Sequence, residues 1–147
     1  MIYSSACEYA IRATTYLATH SDAELVKLRD IADAEGIPAP FLSSILQRLV
    51  SAGFLRSARG PAGGYSLTVS PDELTLYDLK ETIDGVAELE GCAVGLGACS
   101  DTMPCPLHDS WKPIRGLIKS YLQQTTLRQM ADAVEVKRAT LARIEEG

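Results

Sequence analysis

Apolar residues recur at helical spacing from Ala6 through Ala10, Ile11, Ala13, Tyr16 and Leu17, which predicts a first helix ending near His20, with Tyr9 and Tyr16 toward a core. A second, short helix is expected from about Leu28 to Glu35, with Ile31 and Ala32 inward and Gly36 at the C-terminal cap. A third carries Leu42, Ile45, Leu46, Leu49 and Val50 on one face; it begins near Pro38–Pro40 and stops at Gly53. Helical spacing ends here: Phe54–Ser57 and Tyr65–Thr68 flank Arg59-Gly60-Pro61-Ala62-Gly63-Gly64 and read as strand, loop, strand. Thr75 then caps a helix to about Asp84 with Leu76, Leu79 and Ile83 inward.

Past this point the pattern changes. Gly85 opens a glycine-rich stretch without helical periodicity. After it, Trp111, Ile114, Leu117, Ile118, Tyr121 and Leu122 form a broad apolar stripe from near Leu107 to Gln124. A stripe that wide on a small chain calls for a partner surface. Thr126 and Gln129 form a capping box that opens a last helix, Leu127 to Val134, and Glu135–Gly147 is a charged tail, helical or frayed.

Two short helices about a glycine turn, followed by a hairpin with an arginine at its tip, fit a winged helix-turn-helix. The expected fold is therefore mainly α with a small β-hairpin wing, continued by a long dimerisation helix. The divisions are 1–84, winged helix with its following helix; 85–107, a cysteine-containing loop; and 108–147, dimerisation helix and helical tail.

Charge changes the picture only when it is resolved along the chain. The formal net charge is −5. Residues 1–70 are balanced, 71–110 carry −8 and 111–147 carry +3. From Gly36 to Ser70 no acidic residue occurs, while Arg48, Arg56 and Arg59 remain. An acidic middle masks a basic window suited to a double-stranded DNA operator. Three arginines in each of two subunits, each on a phosphate, predict a log–log salt slope of roughly −5. The N-terminal apolar stretch is broken by Glu8 and Arg12, and no run reaches membrane-span length, so the expectation is a cytoplasmic protein with reduced thiols and no membrane partner.

The candidate chemistry lies in the glycine-rich stretch. Cys92, Cys99, Cys105 and His108 follow one another with six, five and two residues between them. Thiolates and imidazole select iron-sulfur clusters, zinc or copper(I), and the two wide cysteine gaps suit a larger object than the single ion of paired zinc knuckles. Ordinary loop cysteines, or a disulfide with one odd thiol, are the alternatives. There is no nucleotide-binding glycine motif, no Ser/His/Asp set, and only two histidines, which argues against an enzyme and against a small-molecule substrate.

Together these residues resemble the Rrf-two family of bacterial winged-helix transcription regulators, whose cluster-binding members include the IscR, NsrR and RirA types. The resemblance covers nearly the whole chain. It is carried by Tyr9-Ala10-Ile11-Arg12-Ala13, by Ser57-Ala58-Arg59-Gly60-Pro61-Ala62-Gly63-Gly64-Tyr65, by Leu74-Thr75-Leu76, and by Cys105-Pro106-Leu107-His108 before Trp111. It implies a homodimer whose DNA affinity follows the state of an iron-sulfur cluster, with repression the commoner mode. By the same resemblance Cys92, Cys99 and Cys105 are cluster ligands. Either His108 or the partner subunit's Glu8 is then the fourth ligand. His108 suits 2Fe-2S, the favoured form, and Glu8 suits 4Fe-4S. The chain departs from IscR-like members on the recognition helix, where Ala39, Pro40, Ser43 and Ser44 replace longer polar side chains. Direct readout by Ser43 and Ser44 is then thin, and these two serines are expected to bind DNA together with Gln47, Arg48, Arg56, Arg59 and Gly60, which hold phosphate, base or groove shape. A cluster-free or zinc-binding thiol redox regulator is the first rival reading, and an electron-transfer iron-sulfur protein that binds no DNA is the second.

Overall fold

A computed structural model describes residues 2–20, 22 and 24–146. The first helix, α1 (Ser5–Thr19), is central: the helix-turn-helix, the wing and the last helix all pack on it. Small Ala10, Ala13 and Ala18 let these neighbours approach. The buried hydroxyls of Thr14 and Thr15 donate back to Ala10 O and Ile11 O at 2.8 and 2.7 Å, so they cost the core no unpaired polar group. Ser4 caps the helix by accepting from the Cys7 N–H at 3.1 Å, an interaction of about 1 kcal/mol. Tyr9 and Tyr16 are half-buried against this core rather than within it.

Helices α2 (Leu28–Glu35) and α3 (Ala39–Ser51) form the predicted helix-turn-helix. Gly36 ends α2 in the left-handed conformation at φ 63°, and Ile37 turns inward behind it. Leu42, Leu46 and Leu49 are sealed in the core, which leaves the Ser44–Gln47 face of α3 outward.

The wing pairs β1 (Leu55–Ala58) antiparallel with β2 (Gly64–Leu67), Leu55 opposite Leu67 and Ala58 opposite Gly64. Each strand is displaced by one residue from the expected span. The Phe54 N–H still closes α3 by bonding Leu49 O at 3.0 Å, so β1 starts one residue later. At the other side Val26 exchanges backbone hydrogen bonds with Tyr65 at 2.8 and 2.9 Å. This draws Gly64 into the sheet, where a Cβ would sit 2.4 Å from Val26 O. Only glycine fits there.

Helix α4 (Leu76–Ile83) opens with a complete capping box, Thr75 with Asp78. A 3-10 turn, Ala87–Leu89, then buries Leu89 and fixes the start of the cysteine loop to the core. Helix α5 (His108–Gln124) buries only His108 and Leu122, one at each end. Between them Ile114, Leu117 and Tyr121 face solvent in the single chain, at 50, 71 and 48% exposure. Helix α6 (Leu127–Glu145) runs well past Val134. No glycine or proline interrupts Leu127–Glu146, and Ala, Leu, Lys, Arg and Glu in the tail favour helix. Gly147 lies outside the described residues. Because α6 packs on α1, and Leu122, Leu127 and Ala131 join the same core as Leu46 and Leu79, the end of α5 and the start of α6 are built into the winged-helix body. No helix among the described residues is long and apolar enough to cross a membrane.

Candidate functional site

The cysteine loop folds back on itself. Gly91 pairs with Ala98, and the Cys92 N–H donates to Gly97 O at 3.0 Å, which turns Val94–Leu96 over the Cys92 sulfur. The backbone N–H groups of Val94 and Leu96, and of Gly95, favour the Cys92 thiolate and hold that thiol below its ordinary pKa. Cys105 adjoins Cys92. The Leu107 N–H favours its thiolate, but the shared hydrogen bond with Cys92 and the charges of Cys92 and Cys99 outweigh this and raise it. All three loop thiols are half-buried and free, and together with His108 they line one pocket of about 170 Å3.

His108 opens α5 and is 6% exposed. Its Nδ1 lies 3.2 Å from Cys99 Sγ, and its Nε2 lies 2.7 Å from Asp101 Oδ1. Lys112, one turn along α5, donates to both oxygens of Asp101 at 2.7 and 2.8 Å, and with the His108 contact holds that carboxyl below its usual range. The Nε2 proton thus faces a carboxylate and Nδ1 faces the thiols, an outer partner that orients an imidazole ligand. Sequence reasoning missed Asp101. An acidic side chain two residues after Cys99 was a readable signal, lost among the nine acidic residues of 71–110.

Among the described residues no three His, Cys, Asp or Glu side chains converge within reach of one metal ion. Glu8 is exposed on α1 and does not line the cysteine pocket of its own chain. Cys7, its neighbour, is fully buried; burial and the Asp84 charge push its thiol up to about 12, with Lys80 opposing. A thiol held neutral and out of solvent is unreactive. Iodoacetamide at pH 8 is therefore expected to modify Cys92, Cys99 and Cys105 in metal-free folded protein, Cys92 fastest, and to leave Cys7 intact by peptide mass mapping. Early modification of Cys7 would contradict its burial.

On the other face, the basic window divides. Arg59 is exposed at the wing tip beside Gly60, which turns the hairpin at φ 95°. Arg56 is exposed on β1 and donates to Ser66 Oγ at 2.8 Å. Ser44 and Gln47 are exposed on α3, Ser43 is half-buried, and Gln47 donates to the Tyr65 hydroxyl at 3.2 Å. Arg48 behaves differently: its guanidinium turns back along the protein and donates to the carbonyls of Thr82 and Ile83 at 2.9 and 2.7 Å.

A two-strand wing after a helix-turn-helix, continued by two helices, is a fold with known relatives. The Rrf2 family model, described as an iron-dependent transcriptional regulator, matches residues 3–133. The chain belongs to the Rrf2 family. Its Rrf2 relatives include an Aquifex aeolicus protein named among the HTH-type transcriptional regulators, 34% identical over 137 residues that cover 92% of this chain and 94% of that one. IscR of Aliivibrio salmonicida is 29% identical over 95% of this chain and 83% of its own. The solved structure of CymR, the global cysteine regulator of B. subtilis, superposes with a TM-score of 0.76 at 25% identity, over 88% of this chain and 95% of that one. This Rrf2 protein is a DNA-binding transcriptional regulator of winged-helix fold, and not an enzyme.

Proposed function

We propose that this Rrf2 protein is a cytoplasmic homodimeric repressor whose affinity for its operator follows the state of an iron-sulfur cluster held by Cys92, Cys99, Cys105 and His108. The carrying observation is the shared pocket: three thiols and one imidazole line it, loop backbone N–H groups favour the Cys92 thiolate, and Asp101 holds the imidazole with Nδ1 toward Cys99. A pocket of about 170 Å3 is several times the roughly 30 Å3 share of one water, which fits a cluster better than one ion. By resemblance to the IscR type, His108 as fourth ligand suits 2Fe-2S, and the partner subunit's Glu8 is the alternative fourth ligand for 4Fe-4S. When bound, the cluster supplies a redox- and acid-labile centre whose loss frees the loop. The protein's own part is geometric. The loop joins α4 to α5, so ordering or releasing it changes how the two winged helices of a dimer meet grooves one helical turn apart.

The test is anaerobic purification with iron and sulfide analysis, followed by operator binding of the loaded and metal-free forms. A brown protein with matching iron and sulfide, and different affinities for the two forms, is expected. Colourless protein with bound zinc refutes the cluster.

A second reading rests on Cys92 and Cys105 as free thiols that line the same pocket. In metal-free protein a hydroperoxide would oxidise the pair to a disulfide, two thiols giving up two electrons and two protons as the peroxide becomes alcohol and water. The relative CymR is named a cysteine regulator. A reducible Cys92–Cys105 disulfide found by mass mapping, with no iron at any stage, would establish this reading in place of the first.

A further inference from the structure

The C-terminal turn of α4 is where the recognition helix, the first helix and the cysteine loop meet. Like any helix end it leaves carbonyls without helical partners and carries partial negative charge. Arg48, from α3, satisfies two of them with one guanidinium nitrogen, at Thr82 O and Ile83 O. Asp84, the last residue of that turn, accepts from the Ser4 N–H at 2.8 Å and from the Ser4 hydroxyl, and so fastens the N-cap of α1. Lys80 points along the same turn and is 1% exposed. Its ammonium donates to Gly85 O at 3.2 Å and to Glu88, and lies 3.9 Å from Asp84 Oδ2. Gly85 and Glu88 open the segment that leads into the cysteine loop.

A buried ammonium is tolerable only while its partners stay in place, since stranding one charge is costly. Glu88 therefore cannot leave with the loop without disturbing Lys80, and Lys80 cannot move without disturbing the turn that Arg48 caps. We propose that Arg48 is a positioning residue and not a DNA contact: it couples the recognition helix to the α4 turn, and through Lys80 and Glu88 to the cysteine loop. This replaces the expectation that Arg48 holds phosphate. It rests on the reading of the protein as a loop-sensing DNA-binding regulator and adds the route by which loop and recognition helix communicate. With Arg48 withdrawn, two arginines per subunit remain, and the expected log–log salt slope shrinks from roughly −5 to about −4.

Coupling is reciprocal, so DNA must act on the loop as the loop acts on DNA. The probe is a duplex selected from a random library by the wild-type protein. In metal-free wild type, that duplex is expected to slow amide hydrogen exchange across residues 85–105 by about fivefold or more, the lower range of ordinary coupling. In Arg48→Gln the slowing is expected to vanish while the salt slope stays unchanged. Glu88→Gln, 58% exposed at its side chain and remote from α3 in sequence, is the second variant, and it too should abolish the slowing with the slope unchanged. A slope reduced by about two in Arg48→Gln, with loop exchange still responding, would make Arg48 a phosphate contact and overturn the proposal. So would an unresponsive loop in wild type, or a loop that still responds in Glu88→Gln. Because the measurement uses metal-free protein, absence of iron would sink the cluster assignment alone and leave this result standing.

Discussion

Cys92→Ser, Cys99→Ser and Cys105→Ser should each yield protein with iron near zero, where wild type purified without oxygen carries about two iron atoms per subunit for a 2Fe-2S cluster. Each thiol lines the same pocket, and a hydroxyl is a poor substitute for a soft ligand. The discriminating pair is His108→Ala beside Glu8→Ala. The visible spectrum is expected to change in the first and not in the second, because His108 is buried at the pocket and Glu8 is exposed elsewhere on its own chain. The reverse outcome would transfer the fourth position to the partner subunit's Glu8 and bring 4Fe-4S to the front. If both spectra match wild type, neither residue is a ligand. Asp101→Asn adds a finer measurement: the metal stays, but the imidazole loses its charged anchor, so cluster loss in air should speed up by roughly 10-fold or more.

The second large effect concerns α5. Leu117→Asp, at a side chain 71% exposed in the single chain, should leave the subunit folded and convert a dimer to a monomer on light scattering. Neighbouring Ile114 and Tyr121 present the same face, so an apolar surface awaits cover, and the buried indole N–H of Trp111 has no acceptor among the described residues. Loss of the second winged helix removes bivalent attachment, worth roughly 10²–10⁴-fold in operator affinity. A Leu117→Asp protein that remains dimeric and binds as wild type would place the subunit contact elsewhere. A fall in melting temperature with dimerisation intact would mean that Leu117 serves the core.

Much of this architecture was legible in the chain because its cues are local. Gly36 after an amphipathic turn, Thr75 as a cap, and Thr126 with Gln129 each announce a helix boundary within four residues and each forms as expected, Thr75 with the added return bond from Asp78. The wing was legible from arginine and glycine between two short strand segments, but its register depended on Val26, which bridges Tyr65 from some forty positions earlier. No local pattern announces that. The same limit explains the site. Spacing brought Cys92, Cys99, Cys105 and His108 to one pocket, as their proximity in sequence implied. The charge of Arg48 and its place beside Gln47 on the recognition helix read as a DNA contact, and its carbonyl partners, 34 and 35 residues away on another helix, have no local signal. The extent of α6 was a matter of degree, since a charged tail is helical when nothing breaks it and one end is already packed.

The attachment of α5 has a mechanical consequence. At its far end, Thr125 O accepts from the Leu76 N–H at 3.0 Å and Leu74 O accepts from the Leu127 N–H at 2.8 Å, so the starts of α4 and α6 are stitched side by side across Thr75 and Thr126. Along its middle, Arg115 and Lys119 hold the start of the cysteine loop, through the carbonyls of Glu90 and Gly91 and the Glu90 carboxylate. Seventeen residues separate fulcrum from load, a rod about 25 Å long. A tilt of about 5° at the stitched end sweeps His108 through about 2 Å over that length. Read in reverse, a tug of one bond length on the imidazole swings a lever whose exposed middle is the Ile114, Leu117 and Tyr121 face, so that in the proposed homodimer a change the size of an atom is delivered to the other half.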